Sequence, residues 1–518
     1  MACIFIIDLG LYGFWGFRLD ATPVFYFFSS PKDAMASVSF WFVLLGILSM
    51  LIYAAILYFI FYCVLIREKK PLKIPYRRQN VSLALLLLTA ALFIPIRGGF
   101  SVSTMNLSKV YFSQDQRMNH AAINPAFSFM YSATHQNNFD KQYRFMDPKI
   151  ADELFAEMVD KPVAATDSIP QLLNTQRPNI IFIILESFST HLMETFGGQP
   201  NVAVNMDKFA KEGILFSNFY GSSFRTDRGL ASIISGYPGQ PSTSIMKYPE
   251  KTDKLPSIPR SLKNAGYNLE YYYGGDADFT NMRSYFYATG YGRVMSCDDF
   301  TTEENSARWG VPDHITFPRV EKEIARQTAR PFMKTFLTLS SHEPFDVPMS
   351  RLEHPYLNSV AYTDSCLGAF VDTLRQSPLW ENLLIVFVAD HTMRYPAGIQ
   401  EHEVKRHHIP MVWCGGAVRG HRVVEDYASQ IDLAATLLAQ MHIDYSDFAF
   451  SKNIADTTQR HFAYYTYKDG LGYVDAENRA VYDCDSESWL LKEGAQADTC
   501  AKSAQAFLQK LYDDLGSR

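Results

Sequence analysis

The sequence NIIFIILESF, residues 179–188, decides the fold. Its apolar part, residues 180–185, is unbroken and rich in β-branched isoleucine, and the carboxylate of Glu186 follows directly. A continuous apolar run of this length is typical of a strand that is buried on both faces. A second run of this kind, residues 383–389 (LLIVFVA), ends in Asp390 and His391. Two buried strands that each end in polar residues predict a parallel sheet of the α/β class.

Further strands and helices alternate along the chain after residue 178. Short apolar segments with strand character lie at residues 215–220, 335–339 and 410–413. Segments with helical spacing of apolar residues lie at 205–213, 257–266, 359–377 and 430–440. This alternation predicts an α/β domain with a central, mostly parallel sheet flanked by helices.

The last part of the chain has a different pattern. Aromatic, strand-like segments at residues 462–467 and 473–482 are separated by glycine or Asn-Arg turns, and a helical pattern follows at 501–515. This pattern predicts a small antiparallel appendage at the carboxyl terminus. We therefore divide the chain into an amino-terminal anchor, a linker with a helix, the main α/β domain and the strands and helix that complete it, at residues 1–100, 101–177, 178–447 and 448–518.

Two apolar runs near the amino terminus, residues 38–66 and 81–96, are nearly free of charge. The first exceeds the roughly 20 residues that a transmembrane helix needs, and the second reaches that length with its flanking residues. The alternative is a buried core helix. A third apolar stretch, residues 4–17, contains Asp8 and lacks a basic leader and a cleavage site, so it predicts a partial or interfacial span rather than a signal peptide.

The charge distribution predicts the orientation in the membrane. Basic residues cluster in the short segment 67–78 between the two main apolar runs. The positive-inside rule places such a segment in the cytoplasm, so everything after Phe100 is expected outside it. A net charge of −6 supplies no basic surface for a polyanion, which argues against a nucleic acid partner.

The linker and the cysteines carry weaker signals. Asp147 and Pro148 resemble a helix N-cap followed by proline at the first helical position, and an apolar face follows. That face consists of Ile150, Leu154, Phe155 and Met158. Five cysteines lie beyond the spans, without metal-binding spacing; Cys484 and Cys500 either pair or remain free thiols.

Polar residues follow three of the predicted strands at their carboxyl ends, where open α/β sheets bind ligands. Glu186 follows the first strand, Asp390 and His391 follow a second, and Ser341 and His342 follow a third. A carboxylate together with an Asp-His pair offers ligands that suit Mn²⁺, Mg²⁺ or Zn²⁺, with room for a hydroxyl. A metal would activate that hydroxyl as a nucleophile, and the segment GSSFRTDRG, residues 221–229, supplies candidates.

With these residues in place, the sequence resembles the lipoteichoic acid synthase and phosphoglycerol transferase group of the sulfatase-like (alkaline phosphatase) superfamily. The resemblance covers residues 178–445 and the anchor. Its motifs are NIIFIILESF (179–188), DKFAKEGILFSNFY (207–220), Gly275-Asp276 with Arg283, LSSHEPF (339–345), VADHT (388–392) and QIDLAATLL (430–438). Of these, LESF and ADH are the most specific.

The resemblance implies an extracytoplasmic transferase, held by several spans in the bacterial cytoplasmic membrane, with one divalent ion, most consistent with Mn²⁺. The implied ligands are Glu186, Thr226, Asp390 and His391, and Thr226 is also the implied nucleophile. His342, Arg283 and Asp276 are implied to bind the headgroup of a phospholipid donor. The implied acceptor is a glycan or a glycerol phosphate polymer.

The sequence departs from the family at two points and leaves alternatives open. Asn281 stands where the family has an aromatic residue, and two or three spans are found where five are usual. Ser222 and Ser223 are alternative nucleophiles. His402, His407 and His408 are candidates for a second metal-binding or substrate-binding role.

The sequence leaves three alternative functions. Phosphoethanolamine transfer is the nearest enzymatic alternative, because those enzymes share the fold, the threonine nucleophile and the anchor. Sulfate ester hydrolysis is disfavoured, because no Cys/Ser-x-Pro-x-Arg frame surrounds Thr226. A non-catalytic envelope protein is the third alternative, and an intact set of metal ligands argues against it.

Overall fold

The computed structural model describes residues 2–15, 18–19, 23, 40–67, 77–100, 104–113, 115–134, 139–160, 169–328 and 330–518. The chain forms two compact units, Met1–Asn137 and Asn138–Arg518. The helices of the first unit are α1 (Ala2–Trp15), α2 (Phe40–Phe61), α3 (Arg78–Ala91), α4 (Phe93–Arg97), α5 (Gln116–Ala122) and α6 (Pro125–Thr134).

Among the described residues of the first unit, two helical stretches have the length and composition to cross a membrane. They are Phe40–Val64 and Arg78–Arg97, and neither is buried inside the protein. The shorter apolar helix α1 carries Asp8, whose carboxylate pairs with Arg18 at 3.0 Å. Within the basic segment, residues 68–76 lie outside the described residues.

The second unit contains the predicted sheet. Its first elements are α7 (Pro148–Val159), β1 (Asn179–Leu185), α8 (Val204–Glu212), β2 (Ile214–Phe216), β3 (Phe219–Tyr220), α9 (Thr226–Ser235), α10 (Pro249–Thr252), α11 (Ile258–Asn264), β4 (Asn268–Tyr273), α12 (Met282–Thr289) and β5 (Arg293–Met295). They continue with α13 (Asp313–Arg326), β6 (Phe332–Leu337), α14 (Pro355–Arg375), β7 (Leu383–Ala389), β8 (Met411–Cys414), β9 (Arg422–Val424), β10 (Ala428–Ser429) and α15 (Asp432–Gln440).

The central sheet has eight strands in the order β5-β4-β6-β1-β7-β8-β2-β9. All pairs are parallel except the two that β8 makes with its neighbours β7 and β2. Every residue of β1 and β7 is buried, which agrees with their unbroken apolar sequences. The structure thus confirms the predicted α/β fold with a mostly parallel sheet.

Some element boundaries differ from the predictions. The expected strand at residues 215–220 is two strands in different sheets, β2 and β3, because the chain turns at Ser217 and Asn218. The Asn218 side chain donates to the carbonyl of Glu425 at that turn. The strand expected at 335–339 is β6, which begins and ends earlier, at Phe332 and Leu337.

The carboxyl-terminal appendage is confirmed and is larger than expected. Its strands are β11 (Ala463–Tyr467), β12 (Gly470–Val474), β13 (Arg479–Asp483) and β14 (Ser488–Glu493), and they form an antiparallel sheet before the final helix α16 (Ala497–Ser517). The segment expected as one strand at 473–482 is a hairpin. Asp475 makes its turn by accepting the backbone N–H groups of Glu477 and Asn478.

Part of the region expected as a linker packs on the second unit. Helix α7 begins as predicted, because the Asp147 carboxylate accepts the N–H of Lys149. Its Phe155 ring lies 5.4 Å from the ring of Phe507 in α16. Ile150 is half exposed, so the predicted apolar face does not include it. The cysteines Cys484 and Cys500 are both free.

Candidate active site

The pairing of β1 with β7 brings the first site residues together. Leu185 and Ala389 are paired neighbours at the carboxyl ends of these two parallel strands. The next residues, Glu186 and Asp390, therefore leave the sheet side by side. Both carboxylates are buried, with 2% and 0% of their surface exposed. Strand β6 lies on the other side of β1, and Thr338 just beyond it accepts the N–H of Glu186 at 2.9 Å.

Thr226 reaches this edge from the start of helix α9. Arg225 before it is extended, and Thr226 is the first helical residue. Its hydroxyl lies 3.3 Å from Glu186 Oε2 and 3.3 Å from His391 Nε2. The helix passes so near β7 that a Cβ at Gly229 would lie 2.1 Å from the carbonyl oxygen of Asp390. Only glycine permits this close approach of the helix to the end of β7.

The loop before Thr226 is fixed from two sides. Gln430 is fully buried; it accepts the N–H of Ser222 at 2.8 Å and donates to the carbonyls of Ala389 and Asp390. Strand β11 of the appendage holds the same loop, because Thr466 N–H donates to the Ser222 carbonyl at 2.9 Å. The loop before Thr226 is thereby attached both to the end of β7 and to the appended sheet.

The alternative hydroxyls point elsewhere. The Ser222 hydroxyl accepts the N–H of Gly239 at 3.1 Å, and the Ser223 hydroxyl lies 3.1 Å from Thr466 Oγ1. Both serines are buried, at 0% and 2% exposure. Of the three hydroxyls in this segment, that of Thr226 is the one in contact with Glu186 and His391.

One oxygen of Asp390 has no hydrogen bond, and one ring nitrogen of His391 contacts only the Thr226 hydroxyl and the carboxylates. Asp390 Oδ1 accepts the N–H groups of Ser187 at 2.9 Å and His391 at 2.7 Å. Its other oxygen, Oδ2, is buried and has no hydrogen-bond partner. His391 Nδ1 donates to the carbonyl of Thr392 at 3.1 Å. His391 Nε2 therefore faces the carboxylates, 3.5 Å from Asp390 Oδ2 and 3.5 Å from Glu186 Oε1.

The buried carboxylates of Glu186 and Asp390 shift the pKa values of each other and of His391. Burial and the neighbouring charge of Glu186 raise the pKa of Asp390 to about 8. Burial also opposes ionisation of Glu186, but the charges of His391 and His342 and the Ser187 hydroxyl lower its pKa overall. The carboxylates raise the pKa of His391 against the effect of burial. A cation at this point would satisfy both carboxylates together.

The residues present fit a divalent metal ion. Ligand atoms of Glu186, Asp390 and His391 lie within 4.8 Å of one another. Two carboxylates, one imidazole with its outer nitrogen bound to a carbonyl, and one hydroxyl form a donor set suited to Mn²⁺, Mg²⁺ or Zn²⁺. The orphaned Asp390 Oδ2 is explained by such an ion.

Of the three residues expected to bind a headgroup, Arg283 lies on a helix, and Asp276 and His342 lie on loops. Arg283 on α12 is bound to Asp278, with Nε 2.8 Å from Oδ1, and also contacts Asp298. Asp276 accepts the N–H of Asp278 at 2.9 Å. Burial and the charges of Glu186, Asp390 and Asp276 raise the pKa of Tyr273, so this residue is within electrostatic reach of both the carboxylate pair and the Asp276 turn.

His342 lies near the carboxylate pair on the other side, as its effect on Glu186 shows. Its ring packs against Trp309, with 4.6 Å between ring centroids, and Trp309 in turn contacts Phe279. The sequence reasoning missed Trp309, which lies in a loop without periodicity. Gly310 anchors that loop on the Gly274-Gly275 turn, since a Cβ at Gly310 would meet the Gly274 carbonyl at 2.1 Å.

The candidate histidines His407 and His408 make hydrogen bonds to backbone carbonyls within the fold. His407 Nε2 donates to the carbonyl of Glu401, and burial lowers the pKa of His407 to about 3. His408 Nε2 donates to the carbonyl of Ser217, and burial lowers its pKa to about 4. Among the described residues no second cluster of metal-type ligands includes His402, His407 or His408.

The chain matches a known protein family. The family model described as Sulfatase matches residues 178–443, more than half of the chain. The chain belongs to the sulfatase family. Proteins of this superfamily depend on divalent metal ions.

Two curated relatives bear out the narrower resemblance. Lipoteichoic acid synthase 2 of Bacillus subtilis (strain 168) is 24% identical over 53% of this chain. Phosphoglycerol transferase I of Xanthomonas campestris pv. campestris (strain B100) is 24% identical over 55% of it. The chain spans 46% and 44% of the lengths of these two relatives.

Two solved structures confirm the fold. A protein of the alkaline phosphatase superfamily from Vibrio parahaemolyticus is 25% identical, with a TM-score of 0.63 over 72% of this chain and 98% of its own. The lipoteichoic acid synthase LtaP from Listeria monocytogenes is 17% identical, with a TM-score of 0.57 over 72% of this chain and 99% of its own. The second likeness concerns the fold alone.

Proposed function

We propose that the protein is a membrane-anchored phosphoglycerol transferase that moves a glycerol phosphate group from a phospholipid such as phosphatidylglycerol to an acceptor hydroxyl. The observation that carries the proposal is the Thr226 hydroxyl, which lies 3.3 Å from both Glu186 Oε2 and His391 Nε2. A hydroxyl at the start of a helix, beside a carboxylate and an imidazole, suits nucleophilic attack on phosphorus. The relatives named above are a synthase and a transferase of this kind.

The reaction has two balanced steps. Thr226 Oγ attacks the donor phosphorus, a phosphorus–oxygen bond to diacylglycerol breaks, and the proton of the hydroxyl passes to the departing oxygen. The acceptor hydroxyl then attacks the phosphoglyceryl-threonine, and Thr226 regains its proton. Glu186, Thr226, Asp390 and His391 would hold the metal ion, which when bound lowers the pKa of the hydroxyl and draws electron density from the phosphate.

Residues of the chain itself orient the donor. The amino-terminal end of helix α9 points its partial positive charge at the place where the phosphate would lie. His342 contributes a ring nitrogen on one side, and Trp309 packs behind it. We assign Arg283 and Asp276 to the glycerol end of the headgroup, because Asp276 lies near Tyr273 and the backbone N–H of Arg283 donates to the carbonyl of Ala277, next to Asp276.

The ion pair of Arg283 favours glycerol over ethanolamine. An ethanolamine headgroup carries an ammonium, which prefers a carboxylate with free charge. Asp278 offers both its oxygens to Arg283, at 2.8 and 3.4 Å, so its charge is already compensated. Asp278 therefore presents little uncompensated negative charge to a headgroup, which favours neutral hydroxyls.

The test of the function is the identity of the group on Thr226. The purified protein is incubated with Mn²⁺ and either phosphatidylglycerol or phosphatidylethanolamine, and the peptide that contains Thr226 is weighed by mass spectrometry. We expect a glycerol phosphate adduct from the first lipid. An ethanolamine phosphate adduct alone would replace the proposed donor, and a protein that hydrolyses both lipids without any adduct would contradict a covalent transfer.

We further propose that the second unit lies outside the cytoplasmic membrane, because the donor remains in the bilayer and the stretches Phe40–Val64 and Arg78–Arg97 have the length to hold the enzyme there. A reporter phosphatase that is active only outside the cytoplasm, fused after residue 104, is expected to be active. The same reporter fused between residues 67 and 78 is expected to be inactive. The reverse pattern would contradict both the orientation and access to the proposed donor.

Trp309 is expected to affect donor binding more than chemistry. Its ring supports His342, and aromatic packing of this kind contributes about 0.5–1.5 kcal/mol. Trp309→Ala should therefore raise KM for the donor roughly 2- to 10-fold with kcat nearly unchanged. Trp309→Phe keeps a ring and serves as the matched control. A loss confined to kcat would show that Trp309 acts on the reacting groups instead.

A further inference from the structure

Ser187 has an unusual backbone and is almost fully buried. It follows Glu186 directly, its φ is 60°, and 3% of its surface is exposed. Residues other than glycine rarely adopt this left-handed conformation, and those that do are mostly asparagine or aspartate. A buried serine held there indicates that the neighbouring structure requires the conformation.

All three polar groups of Ser187 are used, and two of them bind the carboxylates of the candidate metal site. Its hydroxyl donates to Glu186 Oε1 at 2.6 Å. Its backbone N–H donates to Asp390 Oδ1 at 2.9 Å. Its carbonyl accepts the Tyr356 hydroxyl at 2.5 Å, which anchors the turn to helix α14. One residue therefore connects two carboxylates that come from two different strands.

These hydrogen bonds determine which carboxylate oxygens of Glu186 and Asp390 are left to bind a metal ion. With Oε1 bound by Ser187, Glu186 presents Oε2 to the Thr226 hydroxyl. With Oδ1 bound by two N–H groups, Asp390 presents Oδ2, the atom without a hydrogen-bond partner. We infer that Ser187 is a positioning residue that turns one oxygen of each carboxylate toward the metal ion. This inference rests on the metal centre of the proposed function and is independent of the donor lipid.

The two donors of Ser187 can act together only because of its left-handed backbone. That conformation turns the N–H toward β7 while the side chain returns to Glu186. Glycine would adopt the conformation easily but has no hydroxyl, and threonine would be disfavoured by its β-branch. Serine is the small residue that combines the hydroxyl with this turn.

The experiment compares Mn²⁺ affinity in three full-length variants by isothermal titration calorimetry, at one pH and with metal-free protein. Ser187→Ala and Ser187→Gly both lose the hydroxyl, and the glycine variant also removes the backbone strain. Ser189→Ala is the matched control, because the buried Ser189 hydroxyl has no hydrogen-bond partner among the described residues. We expect a roughly 10- to 100-fold loss of Mn²⁺ affinity in both Ser187 variants, which is the range for groups that orient metal ligands, and almost no change in the control.

The outcomes separate the possible causes. If Ser187→Ala fails to fold, Ser187→Gly decides the question, because it accepts the left-handed backbone. Wild-type affinity in Ser187→Gly would overturn the inference, since the hydroxyl would then have no role. A wild-type protein that does not bind Mn²⁺ would overturn the inference and the metal centre together. Loss of affinity in both variants with intact thermal unfolding supports the positioning role.

Discussion

Replacing Thr226 by alanine is expected to reduce donor turnover by on the order of 10⁴-fold or more, because the reaction loses its nucleophile. The Thr226 side chain is partly exposed, and its hydroxyl contacts only Glu186 and His391 among the hydrogen bonds of the described residues. The fold should therefore be preserved. The measurements are diacylglycerol release from a labelled donor and the thermal unfolding of the variant.

Two further variants make the Thr226 result specific. Thr226→Ser retains a hydroxyl at the same place and should keep measurable turnover and the covalent adduct. Ser223→Ala removes a nearby hydroxyl that is bound to Thr466 and should leave the adduct on Thr226. Turnover by a folded Thr226→Ala protein, or loss of the adduct only in Ser223→Ala, would refute Thr226 as the nucleophile.

Asp390→Asn is expected to abolish Mn²⁺ binding and turnover, although it changes the shape of the side chain very little. The asparagine oxygen can still accept the N–H groups of Ser187 and His391. Its NH₂ group then takes the place of Oδ2 and directs hydrogens instead of a lone pair toward the cation. We expect Mn²⁺ affinity to fall by more than about 100-fold, beyond the usual effect of outer-shell partners.

The same substitution should have the opposite effect on the metal-free protein. The folded state raises the pKa of Asp390 from 3.8 to about 8, so the folded protein binds a proton that the unfolded chain has released. Stability from this group is therefore present at low pH and is lost as the pH rises toward 8. Without metal, Asp390→Asn should unfold at the same or a higher temperature than the wild type at pH 8.

Asp207→Asn is the matched control for both measurements. Asp207 is buried and accepts the backbone N–H groups of Glu194 and Thr195, and it is separate from the candidate metal ligands. The Mn²⁺ affinity of the Asp207→Asn variant should equal that of the wild type. If Asp390→Asn binds Mn²⁺ normally, Asp390 does not coordinate the ion, and the orphaned Oδ2 needs another explanation.

The central sheet and the meeting of Glu186 with Asp390 follow from local sequence. Two unbroken apolar runs indicate buried parallel strands, and residues after such strands share one edge of the sheet. The order of the strands was needed as well, and here β1 and β7 are direct neighbours. Short motifs carry this part of the site because each lies within a few residues of a strand end.

Helix α9 and Trp309 show why the remainder was harder to predict. Helix α9 has only ten residues and is buried along nearly all of its length, so its polar residues do not mark a solvent-exposed face. Gly229 within it lowers helix propensity, and its role depends on a distant carbonyl. Trp309 meets His342 only because a loop docks on another turn, and such contacts leave no regular pattern in the sequence.

The loop before Thr226 can be attached to strand β11 only after that strand has been synthesised. Ser222 and Thr466 are separated by 244 positions, yet Thr466 bonds to both Ser222 and Ser223. Ribosomes add residues from the amino terminus, so the loop exists long before its partner strand. During synthesis, the nascent polypeptide therefore already contains Glu186, Thr226, Asp390 and His391 while the strand that supports the loop before Thr226 is still missing. A strand that is made after all four of these residues completes the support of the loop.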